Sequence, residues 1–345
     1  MWDKVRGQLE TNPIEDLKVA FITTRVPYSG RAGTYLAGPF YFVAGLLRAA
    51  VLMALRRVDL LHVSLASGGS TVRKLRFVAL ARLFRVPYVV HLRGGGFQDY
   101  WSSRSAPMAR TIDRMFDGAA SIIVLGTFWR KIILDRLPGL GERIVVLPNA
   151  TAGRAERSAP RGSKAPVHIL YLGRLERLKG TPELVEALSR LQAAPEWVAT
   201  LAGDGDMAET RDAVARAGLE GRVALPGWID DRAVDEKLDA ADILVLPSYH
   251  EGLPNAVVEA FGHGLAVVTT PVGALPDIVE HDSTGLFVEP GDANGLAAAI
   301  DRLIEDEPLR RMLGDNARKV HRDKLDIAHY LGRLVWIWRD AADGS

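Results

Sequence analysis

Short β-rich apolar runs alternate with longer amphipathic stretches along almost the whole chain, and this alternation limits the fold more than any other feature. A strand is expected at Leu17–Thr24, a long apolar helix from about Pro39 to Arg57, a strand at Asp59–Leu65 and a helix from Ser70 to Phe84. A strand at Pro87–Leu92, a helix over Ala109–Phe116 and a strand at Ser121–Leu125 complete the first series, with a further apolar run at Ile144–Leu147. Such strand–helix–strand units build a parallel sheet covered by helices on both faces, and ligands then gather at the carboxyl ends of its strands. Residues 151–166 are small, polar and aperiodic, and read as a linker. A second series follows, with strands at His168–Leu172, Val198–Ala202, Val223–Leu225, Ile243–Pro247 and Ala266–Thr270. Its helices are expected over Pro182–Leu191, near Ala208–Ala217, from Pro254 and over Ala293–Ile304. The expectation is an α/β chain with two doubly wound domains, 1–150 and 167–325, and a cleft between them. The tail over 326–341 carries Leu331, Leu334, Val335, Trp336 and Trp338, too apolar to float free, and should dock back on the first domain.

Composition removes several chemistries. The chain has no Cys, which excludes disulfide scaffolds, thiolate metal sites and cysteine nucleophiles. Its first residues hold no apolar core of signal-peptide length, so a cytoplasmic protein is expected. The formal charge of +1 conceals a division: residues 1–165 carry 25 Lys and Arg against 11 Asp and Glu, a net of +14, and the remainder carries 18 against 31, a net of −13. A basic half of that size suits an anionic partner such as a phospholipid surface, a lipid diphosphate or nucleic acid. Tyr35–Leu55 is long enough to span a bilayer and carries one charge, Arg48. Pro39, Gly45 and the central Arg48 instead favour a buried first helix with one membrane-touching face.

The second series carries the chemistry. A strand at 242–247 runs into Ser-Tyr-His-Glu-Gly-Leu-Pro-Asn, which sets Glu251 in a loop and Glu259 inside the following helix, with Pro254 suited to its first turn. Backbone N–H groups around Leu253–Asn255 would face the strand-end cleft, where an anion or sugar hydroxyls could bind. The strand at 169–172 ends in Gly-Arg-Leu-Glu-Arg-Leu-Lys-Gly and brings Arg174 and Lys179 to the same sheet edge, between Gly173 and Gly180. A guanidinium fork and a mobile ammonium suit a diphosphate. Taken singly, each feature also fits a solvated helix start or a pair of surface cations.

Together they resemble a family. Gly-Arg-(x)4-Lys-Gly at 173–180, Ala-Gly-Asp-Gly-Asp at 202–206, Leu-Pro-Gly-Trp-Ile at 225–229, Glu251-(x)7-Glu259 and Thr-Pro-Val-Gly-Ala-Leu-Pro-Asp-Ile-Val-Glu at 270–280 resemble, in order and spacing, the retaining glycosyltransferases of family 4. The first half shows weaker parallels: the Gly30–Gly33 loop, His91 at a strand end and Leu-Pro-Asn at 147–149. The resemblance implies GT-B architecture, two Rossmann-like domains facing across a cleft. It implies that Arg174 and Lys179 bind the donor diphosphate and stabilise its leaving charge, and that Glu259 holds the ribose. It further implies that Glu251, with Gly252, Leu253, Pro254 and Asn255, holds the donor sugar, and that His91 approaches that sugar from the other domain. Gly173 lets backbone approach the donor. The loop at 26–34 lacks the family's adjacent glycine pair, which leaves Gly33 as the candidate phosphate contact there. Arg93 with Gly94–Gly96, and 67–71 with Arg73 and Lys74, could equally serve the acceptor or be ordinary turns and caps.

Gly203–Ala208 matches a dinucleotide pattern, but two acids in the loop would repel a pyrophosphate, which argues against a dehydrogenase. Asp204 and Asp206 resemble the family's turn rather than a metal grip, so neither metal nor cofactor is expected. The expectation is a hexosyltransferase using a UDP- or GDP-sugar on a hydroxyl acceptor, a lipid-linked saccharide in cell-surface polysaccharide assembly. It would be peripheral on the inner face of the cytoplasmic membrane, with no nucleic acid partner. A nucleotide-sugar epimerase of similar shape and a non-catalytic sugar-nucleotide-binding partner are the alternatives.

Overall fold

The computed structural model describes residues 2–23, 38–154, 166–191 and 196–344. The chain divides into two compact units, one of Trp2–Leu147 joined by Leu331–Ser345 and the other of Pro148–Tyr330. The first unit contains α1 (Trp2–Thr11), α2 (Gly38–Ala54), β1 (Leu61–Leu65), α3 (Gly69–Leu83), β2 (Tyr88–Leu92), α4 (Phe97–Ser102), α5 (Ala106–Asp117), β3 (Ser121–Val124), α6 (Thr127–Arg136) and β4 (Ile144–Val146). Its four described strands form a parallel sheet in the order β1-β2-β3-β4. Every residue of β2 and β3 is buried, as expected of strands covered on both faces, which need no polar alternation. Helix α5 turns Ala109, Ile112, Met115 and Phe116 inward at helical spacing.

The expected strand at Leu17–Thr24 is not one. Residues 17–23 form no strand among the described residues, and the Leu17 amide closes a turn on the Ile14 carbonyl at 3.2 Å. A short apolar run can suggest an extended segment but does not specify a ladder partner. Thr24, the loop at 26–34 and its Gly33 lie outside the described residues. Helix α1 escaped the pattern because it is polar, held by pairs such as Arg6 to Glu10 at 2.8 Å.

The second unit contains β5 (Val167–Leu172), α7 (Thr181–Ser189), β6 (Trp197–Ala202), α8 (Met207–Arg216), β7 (Val223–Gly227), α9 (Asp231–Ala240), β8 (Ile243–Leu246), α10 (Asn255–His263), β9 (Ala266–Thr269), β10 (Leu286–Phe287), α11 (Ala293–Glu305) and α12 (Glu307–Val320). Its parallel sheet runs β10-β9-β8-β5-β6-β7. From β5 the chain winds outward through β6 and β7, then returns to lay β8 on the other side of β5. The order therefore reverses between β5 and β8, and the crevice beyond their carboxyl ends is where such sheets bind ligands. Helices α9 and α12, absent from the sequence reading, begin at Asp230 and Asp306, whose carboxylates accept from the amides of Ala233 and Leu309 at 2.9 Å each. Those caps were the legible signal for both helices.

After a π-helical turn at His321–Leu325 the chain continues into α13 (Ile327–Asp343). Thr151 pairs with Asp326, its amide donating to the Leu325 carbonyl and its carbonyl accepting from Ile327, both at 3.0 Å. The His321 ring meets the Thr151 hydroxyl at 2.9 Å. The two passages of the chain from one unit to the other thus leave from neighbouring backbone. In the first unit the Trp338 indole N–H donates to His62 Nδ1 at 2.9 Å and the ring is buried, whereas Trp336 is 60% exposed. Two residues apart on a helix point about 200° apart, so one docked face cannot bury both.

Because an indole N–H only donates, His62 Nδ1 must accept, which places the proton of a neutral imidazole on Nε2. Burial, then the Arg93 charge, hold the His62 pKa down at about 3. Burial, His62 and Arg93 hold His91, 5.3 Å away ring to ring, well below the ordinary imidazole range. An unfolded chain takes up these protons as pH falls through about 6.5, and the folded one does not, so stability must fall with pH below that point. Lowering pH from about 7.5 to about 5 should cost up to about 2 kcal/mol per histidine. Thermal denaturation should show the midpoint falling across this range, and a flat profile would contradict the buried neutral pair.

Candidate active site

The strand β8 ends at Leu246, and Pro247, Gly252 and Pro254 keep the next residues out of regular structure until α10 begins at Asn255. Pro254 is the residue before the helix, not inside its first turn, with φ −69° and ψ 128°. The loop turns Glu251 inward until only 8% of the residue is exposed. A carboxylate so buried requires donors. Glu251 Oε1 accepts from Lys179 Nζ at 2.6 Å and from Ser248 Oγ at 2.8 Å.

Lys179 reaches it from across the sheet's switch point. It ends a 3-10 turn, Arg177–Lys179, in the loop after β5. Gly180 then takes φ +70°, and a Cβ there would run into the Pro247 carbonyl oxygen, so only glycine lets this loop lie against the end of β8. On the opposite side Gly273, at φ +60°, passes so close to Glu251 that a Cβ would meet its carbonyl oxygen. The Ala274 amide donates to the Gly252 carbonyl at 2.9 Å. Asn149 Nδ2 donates to the Leu253 carbonyl at 2.7 Å. The loop that carries Glu251 is thus tied to the β5 loop, the β9 loop and the segment after β4.

Arg174 stands at the same edge with a mostly exposed guanidinium, 3.3 Å from Glu176 Oε2 and 3.6 Å from Asp204 Oδ1. Its backbone is fixed by the Tyr171 hydroxyl, which donates to the Arg174 carbonyl at 2.6 Å. Burial pushes the Tyr171 pKa up, a Thr181 hydrogen bond opposes this, and the Glu251 and Glu176 charges push it further up, so the phenol keeps its proton. Gly173 takes part in the sheet edge, its amide donating to Ala202 at 3.1 Å. The suspected dinucleotide loop is part of the same edge: the Leu175 amide donates to Asp204 and the Asp206 amide to Leu175, each at 2.7 Å. Glu259 lies one turn along α10 from Asn255, half-buried, and the side-chain oxygen of Asn255 is buried with no hydrogen-bond partner among the described residues.

The structure therefore gathers Gly173, Arg174, Lys179, Gly252, Leu253, Pro254, Asn255, Glu251 and Glu259 at one sheet edge of the second unit. His91 is a fully buried residue of β2 in the first unit. There the loops after β1 and β2 adjoin, since the Arg93 amide donates to Leu65 at 2.9 Å and a Cβ on Gly94 would stand 3.1 Å from Ala66 Cα. In α3, burial and then the Arg73 charge lower the Lys74 pKa to about 8. Sequence reasoning assigned no role to Ser248, Asn149, Tyr171 or Gly273, although Asn149 and Gly273 stand in segments that carry the family resemblance. Ser248 and Tyr171 had local signals, each a hydroxyl three residues from the group it serves, the Glu251 carboxylate and the Arg174 carbonyl, whereas Asn149 and Gly273 act over long separations.

If the pair is held as described, Lys179→Met should strand a buried carboxylate and destabilise the unit by about 1–3 kcal/mol. Adding Glu251→Gln should recover part of that, because an amide needs no cation. A double-mutant cycle in denaturant measures the coupling, and simple additivity of the two losses would contradict the pair.

Two family models match the chain: a glycosyl transferase 4-like domain over residues 5–150 and glycosyl transferases group 1 over residues 154–320. A lipopolysaccharide core biosynthesis glycosyltransferase of Rhizobium meliloti is 30% identical over 239 residues, 62% of this chain and 68% of that one. A glycogen synthase of Mycobacterium tuberculosis is 30% identical over 66% of this chain, which spans 57% of its length. A 2-deoxystreptamine glucosyltransferase of Streptomyces kanamyceticus is 28% identical over 72% of each chain. Among solved structures, sucrose-phosphate synthase from Thermosynechococcus elongatus superposes with a TM-score of 0.73 at 22% identity, covering 94% of this chain and 86% of that one. Anabaena HepE in complex with UDP and glucose gives 0.71 at 21% identity, covering 96% and 88%. These two neighbours share the fold. With the paired parallel-sheet units and the two models, the relatives establish that the chain belongs to the family 4-like glycosyltransferases of GT-B architecture.

Proposed function

We propose that the chain transfers a hexosyl residue from a nucleoside diphosphate sugar to a hydroxyl acceptor with retention of configuration. The observation that carries this reading is the Lys179–Glu251 pair at the switch point between β5 and β8, a cation and a carboxylate already assembled where an α/β sheet receives its ligand. Lys179 and Arg174 would meet the leaving diphosphate, so the growing charge is balanced by the chain's own cations and no metal is assigned. Glu251 and the backbone of Gly252–Asn255 would hold the donor sugar, and Glu259 the ribose. His91 keeps the role implied by the family resemblance, contact with the sugar, and Gly33 that of a phosphate contact.

No nucleophilic carboxylate is assigned to the reaction face, which favours front-side displacement. The acceptor oxygen bonds to the anomeric carbon while the bond from that carbon to the diphosphate oxygen breaks. The electron pair leaves with the diphosphate, which takes the acceptor's proton. Lys179 and Arg174 stabilise the departing charge through hydrogen bonds in a site partly closed to water. The HepE complexes with UDP and UDP-glucose make uracil the first donor base to test. The Rhizobium lipopolysaccharide enzyme and a putative teichuronic acid biosynthesis glycosyltransferase of Bacillus subtilis, 27% identical over 317 residues, support a cell-surface saccharide as acceptor. A net charge of +14 over residues 1–165 supports one presented on a lipid at the inner face of the cytoplasmic membrane.

The two glutamates should separate in calorimetry with free UDP and GDP. Glu259→Gln should lose about one to two decades of nucleotide affinity, the worth of a charged hydrogen-bond partner, whereas Glu251→Gln should keep nearly all of it and lose turnover. The reverse pattern would contradict the placement of ribose and sugar along α10.

A further inference from the structure

Helix α2 packs inside out. Its sequence, Gly-Pro-Phe-Tyr-Phe-Val-Ala-Gly-Leu-Leu-Arg-Ala-Ala-Val-Leu-Met-Ala, is apolar on nearly every face, yet the residues it buries are Gly45, Ala49 and Met53. Gly45 sits where a Cβ would come within 2.8 Å of Ile22 Cγ2 and 3.9 Å of the Phe77 ring, so this narrow face is firmly seated on the protein. Phe42 also meets Phe77 edge to face, ring centroids 6.1 Å apart. Five large side chains turn the other way. Phe40 is 76% exposed and Leu47 62%, with Val43, Val51 and Leu55 each half exposed or more. At 100° per residue these five fall within one arc of about 120°, a continuous stripe rather than scattered single residues.

The surrounding charge identifies what covers the stripe. Residues 38–98 hold nine Lys and Arg and a single acid, Asp59. Arg48 borders the stripe and Arg56 and Arg57 follow the helix, all three exposed; Arg76, also exposed, lies over the Phe42 ring at 5.9 Å on the flank seated against Phe77. A second copy joined through this face would set these cations against each other. An anionic lipid surface satisfies both features, taking the apolar stripe into its acyl boundary while its headgroups meet the arginines. Among the described residues no helix is long and apolar enough to cross a membrane, and one face of α2 is already committed to protein.

We propose that α2 lies in the plane of an anionic membrane, its Phe40–Val43–Leu47–Val51–Leu55 stripe inserted and its arginines against the headgroups. This deepens the membrane-side acceptor reading by naming the contact element, and it stands apart from the donor site. The absence of Cys allows a single label. Leu47→Cys carrying an environment-sensitive fluorophore should brighten and shift to the blue with phosphatidylcholine vesicles containing about 30% phosphatidylglycerol, and much less with phosphatidylcholine alone. High salt should weaken the response. Leu47→Glu with Val51→Glu should lower co-sedimentation by about tenfold or more. UDP calorimetry on the same double variant should match the parent, which separates a failed membrane contact from a failed donor site. Parent protein that does not bind the anionic vesicles, a label that stays in water while the protein pellets, or a double variant that pellets as well as the parent would each overturn the proposal. So would sedimentation showing a dimer that these two substitutions dissociate.

Discussion

A carboxylate that has lost its water must be given partners, and Glu251 is the point on which the second unit's strand-end architecture converges. Its two donors come from different places, Ser248 from its own loop and Lys179 from the loop after β5. The backbone around it is confined by Gly180 against Pro247 and by Gly273 against Glu251 itself. Breaking such a pair leaves a buried charge, which is why these loops are fixed in register with one another rather than free to drift. Rigidity of this kind is what a site needs when it must meet charge that develops on a leaving group.

The position of the pair follows from topology. A parallel sheet that winds outward from β5 and then returns through β8 opens a crevice between those two strands at their carboxyl ends, and the loops after both necessarily border it. The sequence need only supply suitable side chains there: two cations after β5, a carboxylate after β8, and a second one a turn into α10. The first unit is also a parallel sheet, but its described strands run in chain order, β1-β2-β3-β4, without that reversal, and the proposed function gives it a different surface to serve. Its basic residues surround an apolar helix face instead of a buried ion pair, so the charge division between halves corresponds to a division between lipid-facing and nucleotide-facing chemistry in the proposed function.

Much of this was legible in the sequence because the periods were clean. Strands β5, β6, β8 and β9 are almost wholly apolar runs, interrupted only by residues such as His168 and Thr200, and Lys179 and Glu251 fall in the loops after β5 and β8, with Glu259 a turn into α10. The failures have physical causes. Leu17–Thr24 looks like a strand because periodicity reports burial potential but not a ladder partner. Trp336 and Trp338 look equally buried in a list of apolar residues, although a helix must send them to opposite sides. Asn149 and Gly273 support the Glu251 loop across long sequence separations that no local spacing reveals. Helix α2 is the clearest case, since a segment apolar all round does not disclose which face it will seat, and here Gly45, Ala49 and Met53 go inward.

The proposed donor site is tested most directly by a crystal structure of the chain with UDP bound. Lys179 Nζ is expected within hydrogen-bond distance of the diphosphate, with the base and ribose running along α10 toward Glu259 and the Glu251 carboxylate left facing the sugar position. A nucleotide bound elsewhere, with the Lys179–Glu251 contact unchanged and no phosphate near the loop after β5, would contradict it.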